Sequence, residues 1–184
     1  MKEVQKYIAI LRGVNVSGKN LIKMSALTEL LFQEGFGEVK SYIQSGNLCF
    51  SAARQNLPDL QRNLSEIIYR QFGLLVPVIV LTAADLLRVQ QQNPFLKEAD
   101  VNIKDLYLTF LTKIPTDLER ESLEHPGNVP DTYYIINNLV FLKMSQGYGK
   151  TKFNNTFFEK KLNTSATTRN WKTVLKLLEM VGAQ

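Results

Sequence analysis

The segment Arg12-Gly13-Val14-Asn15-Val16-Ser17-Gly18-Lys19-Asn20 holds residue types suited to an anion: cations, glycines and short amides in close order. Gly13, Gly18 and Lys19 satisfy G-x-x-x-x-G-K, the start of a phosphate-binding P-loop, but Asn20 stands where Ser or Thr should meet magnesium. An amide is a poorer ligand for that hard cation. The helix that should begin at the Gly-Lys, so that its amides face phosphate, starts later, near Ser25. No strand ends in an Asp to supply a second metal ligand. P-loop hydrolysis is therefore set aside, and what survives is metal-free anion binding by the loop's backbone N–H groups. The competing reading is structural: Asn15 and Asn20 bond their own backbone and hold an irregular loop.

Two further stretches carry similar chemistry. In Gln44-Ser45-Gly46-Asn47, Gln44 is a long amide beside Tyr42 and Ile43 on a strand that is otherwise apolar, which marks Gln44 as a ligand contact. The plainer alternative is a hairpin turn and nothing more. In the C-terminal part, Lys150, Lys152, Lys160, Lys161, Arg169, Lys172 and Lys176 sit among Tyr148, Phe153, Asn154, Asn155, Phe157, Phe158, Asn170 and Trp171. Cations interleaved with rings and amides suit phosphates and stacked bases. The helical spacing of Phe153, Phe157 and Phe158 also fits a core, and Trp171 starts an apolar stripe. Arg169 precedes that stripe in a Thr/Asn-rich helix start, where its fork adds to the helix's own amides. Arg169 and Lys152 are the leading functional candidates, with Asn170 beside them.

Catalytic groups mostly fail. The sole histidine, His125, lies in Glu124-His125-Pro126-Gly127 without an obvious partner, so a Ser–His or Cys–His system is unsupported. Cys49 sits in an apolar strand and reads as buried packing. No His/Cys cluster has metal spacing, and no carboxylate pair suggests glycosidase chemistry. No metal site is expected; catalytic residues and cofactors stay unassigned.

The chain of 184 residues is long enough for one domain, or two small halves sharing a core. Its 45% apolar and 21% charged residues are ordinary for a globular protein. One cysteine excludes an internal disulfide. The apolar run Tyr7 to Leu11, closed by Arg12, is too short for a signal peptide, and no stretch is long enough to span a membrane. A cytoplasmic protein with no membrane partner is expected. Net charge is +5, unevenly spread. Residues 1–23 carry five Lys/Arg and one Glu; residues 24–142 carry nine Lys/Arg and fourteen Asp/Glu; residues 143–184 carry eight Lys/Arg and two Glu. Two basic ends that met in space would attract anions; taken singly, each lysine reads as a solvated helix face.

The elements that must position these residues follow from periodicity. Residues 4–12 read as a strand, 14–23 as a loop, and Ser25 as the cap of a helix with Leu27, Leu30 and Leu31 on one face, ended by Gly35. Val39 to Ile43 and Leu48 to Ser51 read as a hairpin around Ser45-Gly46-Asn47. A helix opens at Asn56-Leu57-Pro58-Asp59 and stops at Gly73, before a strand from Val76 to Leu81. This order, β-α-β-β-α-β, is the ferredoxin-like arrangement. Then come a helix capped by Thr82 with Asp85, a break at Asn93-Pro94-Phe95, a strand 106–111, a helix 116–123, strands 133–136 and 139–143 joined at Asn137-Asn138, and helices from Phe153 and Trp171. The expected class is α+β: two ferredoxin-like β-α-β-β-α halves with antiparallel sheets, a duplication without sequence repetition. The halves are residues 1–81 and 82–184, the second with a basic helical tail, either as separate domains or as one intertwined domain.

The blocks Tyr7-Ile8-Ala9-Ile10-Leu11-Arg12-Gly13-Val14-Asn15-Val16-Ser17-Gly18-Lys19-Asn20, Tyr42-Ile43-Gln44-Ser45-Gly46-Asn47, Asn93-Pro94-Phe95 and Thr167-Thr168-Arg169-Asn170-Trp171-Lys172-Thr173 together resemble a bacterial family, domain of unknown function 1697. Thr151-Lys152 sits where that family usually has Ser-Lys, and the hydroxyl is kept. The resemblance implies an α+β fold with ferredoxin-like halves and no activity. The favoured expectation is binding of an anionic, phosphate-bearing partner, a nucleotide-like molecule or nucleic acid, through Arg12, Asn15, Lys19, Asn20, Gln44, Asn47, Lys152, Arg169 and Asn170. The alternatives are an enzyme acting on a phosphorylated small molecule by positioning and electrostatics, and a protein–protein interaction module.

Overall fold

The computed structural model describes residues 3–16, 18–123 and 130–182. His125 and Ser17 lie outside the described residues. The chain forms two compact units, Met1–Leu87 with Leu177–Gln184, and Arg88–Lys176.

In the first unit, the strands β1 (Val4–Leu11), β2 (Gly37–Tyr42), β3 (Asn47–Ala53) and β4 (Val78–Thr82) form an antiparallel sheet in the order β2-β3-β1-β4. Strand alternation puts Tyr7, Ala9 and Leu11 of β1 on one face with Leu48, Phe50, Val78 and Val80. The helices α1 (Met24–Gln33) and α2 (Leu57–Phe72) bury Leu27, Leu31, Leu60, Leu64, Ile67 and Ile68 in the same core. Gly73 ends α2 in the left-handed region, φ 67°, with its N–H on the Tyr69 carbonyl at 2.8 Å. The helix α3 (Ala83–Gln92) follows β4 without a loop. Its start is the predicted box: the Thr82 N–H donates to the Asp85 carboxylate at 2.9 Å, and the Asp85 N–H to the Thr82 hydroxyl at 3.2 Å.

The second unit repeats the plan. The strands β5 (Leu106–Leu111), β6 (Thr132–Ile136), β7 (Leu139–Lys143) and β8 (Ala166–Asn170) are antiparallel in the order β6-β7-β5-β8. The helices α4 (Asp117–Glu121) and α5 (Asn155–Leu162) lie between strands as α1 and α2 do, and α6 (Trp171–Val181) follows β8 as α3 follows β4. The core gathers Leu111, Val140, Leu142, Phe153, Phe158 and Leu162, with the Tyr133 ring edge-on to Phe153 and Phe158. Backbone bonds recur at matching places. The Leu11 N–H reaches the Gly46 carbonyl at 2.8 Å and the Leu111 N–H the Asn138 carbonyl at 2.9 Å; the Arg12 N–H reaches Pro77 and the Thr112 N–H reaches Ser165, both at 3.0 Å. Each half is therefore the expected ferredoxin-like unit, and their likeness is consistent with duplication.

Three local expectations are corrected. Ser25 does not cap α1; the helix begins at Met24 with Lys23 at the cap position. The hairpin turn spans residues 43–46, so Gln44 lies in the turn and not on a strand, and β3 begins at Asn47. Residues 166–170 are a strand rather than a helix start. Its threonines are β-branched and fit a pleated surface, and the Thr168 hydroxyl meets that of Thr109 across the ladder at 2.6 Å. Only at Asn170 does the chain turn into α6: the Asn170 side-chain oxygen accepts the Thr173 N–H at 2.8 Å.

Candidate functional site

The loop after β1 is held by its own amides. The Asn15 N–H donates to the Asn20 carbonyl at 3.2 Å, the Lys19 N–H to the Val16 carbonyl at 3.0 Å, and the Asn20 side-chain amide to the Gly13 carbonyl at 3.0 Å. Asn15 and Asn20 adopt left-handed backbone, φ 55° and 48°, which Asn tolerates. The Asn15 side chain accepts from the Ile22 N–H at 2.9 Å and donates to the Ile22 carbonyl at 2.9 Å and the Gln44 carbonyl at 2.8 Å. That last bond ties the loop to the turn.

The turn is built to be approached closely. At Gly46, φ 79°, an added Cβ would lie 2.7 Å from the Leu11 Cβ and 3.4 Å from the Val14 Cβ. Only glycine fits there. Asn47 is fully buried, and its amide donates to the Tyr42 carbonyl at 3.0 Å and the Ser45 hydroxyl at 3.2 Å. Thus Asn15, Asn20 and Asn47 shape the site with their side chains. Arg12 is half-buried, while Lys19 and Gln44 are exposed. These six residues come together at one end of the first sheet. Since α1 starts at Met24, well after Lys19, no helix begins at the Gly-Lys as a P-loop requires.

Lys152, Arg169 and Asn170 belong to the second unit. Lys152 is exposed and lines a small pocket of about 140 Å³ with Pro130, Asp131, Gln146, Lys150 and Phe153. Arg169 is only 7% exposed. It pairs with Leu108 on β5, and alternation puts it on the sheet face opposite Thr168 and the Phe153 core. Lys152 and Arg169 are therefore not brought together. The Arg169 guanidinium donates to the Thr167 hydroxyl and the Thr168 carbonyl, both at 2.9 Å, and burial pushes its pKa down to about 10. It stays cationic at neutral pH. The Asn170 side chain caps α6.

Sequence reasoning missed two features. One is a hydroxyl network in the second unit: the Tyr148 hydroxyl meets that of Thr168 at 3.0 Å and accepts the Asn155 N–H at 2.9 Å, and Thr168 donates to the Asn155 side chain at 2.7 Å. Burial raises the Tyr148 phenol. In the sequence, Tyr148 stands out only as one of the rings among the C-terminal cations. The other is a cleft of about 520 Å³ in the first unit, lined by Gln5, Lys6, Arg54, Gln55, Leu57, Thr82, Ala83, Ala84 and Val181. It sits where β1 begins and β3 and β4 end, at the opposite end of the sheet from the Asn15 loop. Cys49 is buried, its thiol raised mainly by burial and donating to the Met180 carbonyl at 3.4 Å. Among the described residues, no group of three or more His, Cys, Asp or Glu is placed to hold a metal ion. No described helix is long and apolar enough to cross a membrane.

A conserved bacterial protein, SP0830 from Streptococcus pneumoniae, is similar in structure, with a TM-score of 0.73 and 24% sequence identity over 97% of this chain and 99% of that one. At that identity the likeness speaks for the fold alone. No curated protein matches the chain. The family model described as "Protein of unknown function (DUF1697)" matches residues 4–141, a span that holds the Asn15 loop, the Gln44 turn and Asn93-Pro94-Phe95, but not Lys152 or Arg169. The chain belongs to the DUF1697 family.

Proposed function

We propose that this protein binds an anionic, phosphate-bearing ligand at the surface formed by the loop after β1 and the turn before β3. Arg12 and Lys19 supply charge, Gln44 an amide, and Asn15, Asn20 and Asn47 the scaffold. The observation that carries the reading is the Asn15 bridge to Ile22 and Gln44, which holds two polar blocks, far apart in sequence, at one sheet end. A site whose shape is fixed before binding loses little ordering entropy. Left-handed residues crowd here, Gly13, Asn15, Gly18, Asn20, Ile43 and Gly46. For β-branched Ile43, φ 51° is unusual backbone of the kind that collects at ligand sites. The test is fluorescence polarisation with a labelled single-stranded oligonucleotide, competed by ATP and by inorganic phosphate. Binding that weakens steeply with salt, and is lost in the Arg12→Gln/Lys19→Gln double variant, supports the proposal. No binding, or unchanged binding by the double variant, refutes it.

A second reading, an interaction module, draws on one observation: Val16, Leu21 and Ile43 are 53%, 71% and 47% exposed on the same loop and turn. Apolar side chains grouped at a surface mark protein contacts. Pull-downs with wild type and a Leu21→Asp variant separate this from ligand binding. We also read the chain as a cytoplasmic, bacterial protein, since Cys49 is a free, buried thiol and the structural relative is bacterial.

A further inference from the structure

We propose a second, separate site: the cleft at the far end of the first sheet binds a small organic acid, its carboxylate held by Arg54 and Lys6 and its aliphatic part lying on Leu57, Ala84 and Val181. The cleft of about 520 Å³ has the size of a metabolite pocket. Its lining divides as an amphipathic acid requires, with Lys6, Arg54 and Gln55 polar, and Leu57, Ala84 and Val181 apolar. Both cations already face carboxylates, Lys6 with Glu38 at 3.1 Å and Arg54 with Glu3 at 3.2 Å. These are exposed pairs, which hold their partners weakly and exchange readily. A ligand carboxylate that also buries its chain on the apolar wall displaces them. A guanidinium matches a carboxylate with two parallel hydrogen bonds, so Arg54 is the anchor.

The second unit serves as an internal control. Strand register equates Tyr107 with Tyr7, since each pairs with the last residue of the fourth strand, Asn170 or Thr82. Beside Tyr107, the chain after β7 lays the Tyr148 ring at 5.4 Å and uses its hydroxyl to accept the Asn155 N–H. Beside Tyr7, the chain turns directly into α2 at Leu57, and the Gln55 N–H donates to the Tyr7 hydroxyl at 3.3 Å. In the first unit the Tyr7 ring stacks instead on Phe50 of β3, at 5.7 Å, and the chain between β3 and α2 lays no ring where Tyr148 stands in the second.

The test is an amide chemical-shift titration of the full chain with hexanoate, and with its neutral isostere hexanamide. Saturable shifts at Gln55 and Ala84, binding at least about tenfold weaker for hexanamide, and a loss of about tenfold in Arg54→Gln are expected. The Ala84→Phe variant fills the cleft without changing charge and abolishes the shifts. Arg12→Gln/Lys19→Gln leaves hexanoate binding unchanged, so failure at the loop surface and failure at the cleft are told apart. Absence of saturable shifts, equal binding of hexanamide, or an unaffected Arg54→Gln overturns the proposal.

Discussion

The Asn15 side-chain amide donates to the Gln44 carbonyl at 2.8 Å while its oxygen accepts the Ile22 N–H at 2.9 Å. One residue thus closes its own loop and fastens that loop to a turn on a different strand connection. Removing the side chain breaks three hydrogen bonds at once. Asn15→Ala should cost roughly 2 kcal/mol of stability, seen as a lower urea midpoint. Asn15→Gly keeps the left-handed backbone but still loses the bridge, so it should remain destabilised. A wild-type midpoint in both variants would contradict the bridging role.

Gly46 should tolerate no side chain. Gly46→Ala combines a positive φ with a Cβ only 2.7 Å from that of Leu11, both within the first core's edge. The expected loss is about 2–4 kcal/mol by chemical denaturation. Gly18, with open space around its missing Cβ, should lose less on the same change, from backbone strain alone.

Arg169 should not be replaceable by lysine. Its Nη1 donates to both the Thr167 hydroxyl and the Thr168 carbonyl from a buried strand position. A lysine ammonium is a compact, more strongly hydrated charge that costs more to bury at this position and leaves the guanidinium plane's space unfilled. Arg169→Lys should lower stability by about 2 kcal/mol, read by thermal and urea unfolding. A neutral result would mean the guanidinium contributes nothing beyond its charge.

Cys49 should alkylate slowly in the native protein. Burial raises its thiol, so less thiolate is present at a given pH than in the unfolded chain, and the group is shielded. The sign for stability follows. Above the unfolded thiol's pKa the unfolded chain loses a proton that the native state keeps, so this group's stabilisation falls as pH rises through the raised value. Iodoacetamide labelling that speeds up sharply in urea agrees; equal rates in native and unfolded protein would not.

Much of the fold was legible because burial imposes periodicity. Leu60, Leu64, Ile67 and Ile68 repeat at helical spacing on α2, and alternation along β1 separates Tyr7, Ala9 and Leu11 from Ile8 and Ile10. The strand at residues 166–170 was hidden because its neighbours mislead: Asn170 is a genuine helix cap, and the strand runs into that cap with no intervening loop. The loop was legible as polar and glycine-rich, but which amides face solvent depended on bonds between distant residues. The partner of Asn15 is a main-chain oxygen at Gln44, and a carbonyl leaves no mark in a sequence. The Lys6–Arg54 cleft was invisible for the same reason, since its walls come from strand ends, a helix start and the C-terminal helix.

The most direct measurement is an amide chemical-shift map on adding ATP to the isotopically labelled protein. Shifts concentrated at Gly13, Gly18, Lys19, Gln44 and Gly46, and lost in the Arg12→Gln/Lys19→Gln variant, are predicted. Shifts confined to other surfaces, or none at all, would contradict an anion site at the Asn15–Gln44 junction.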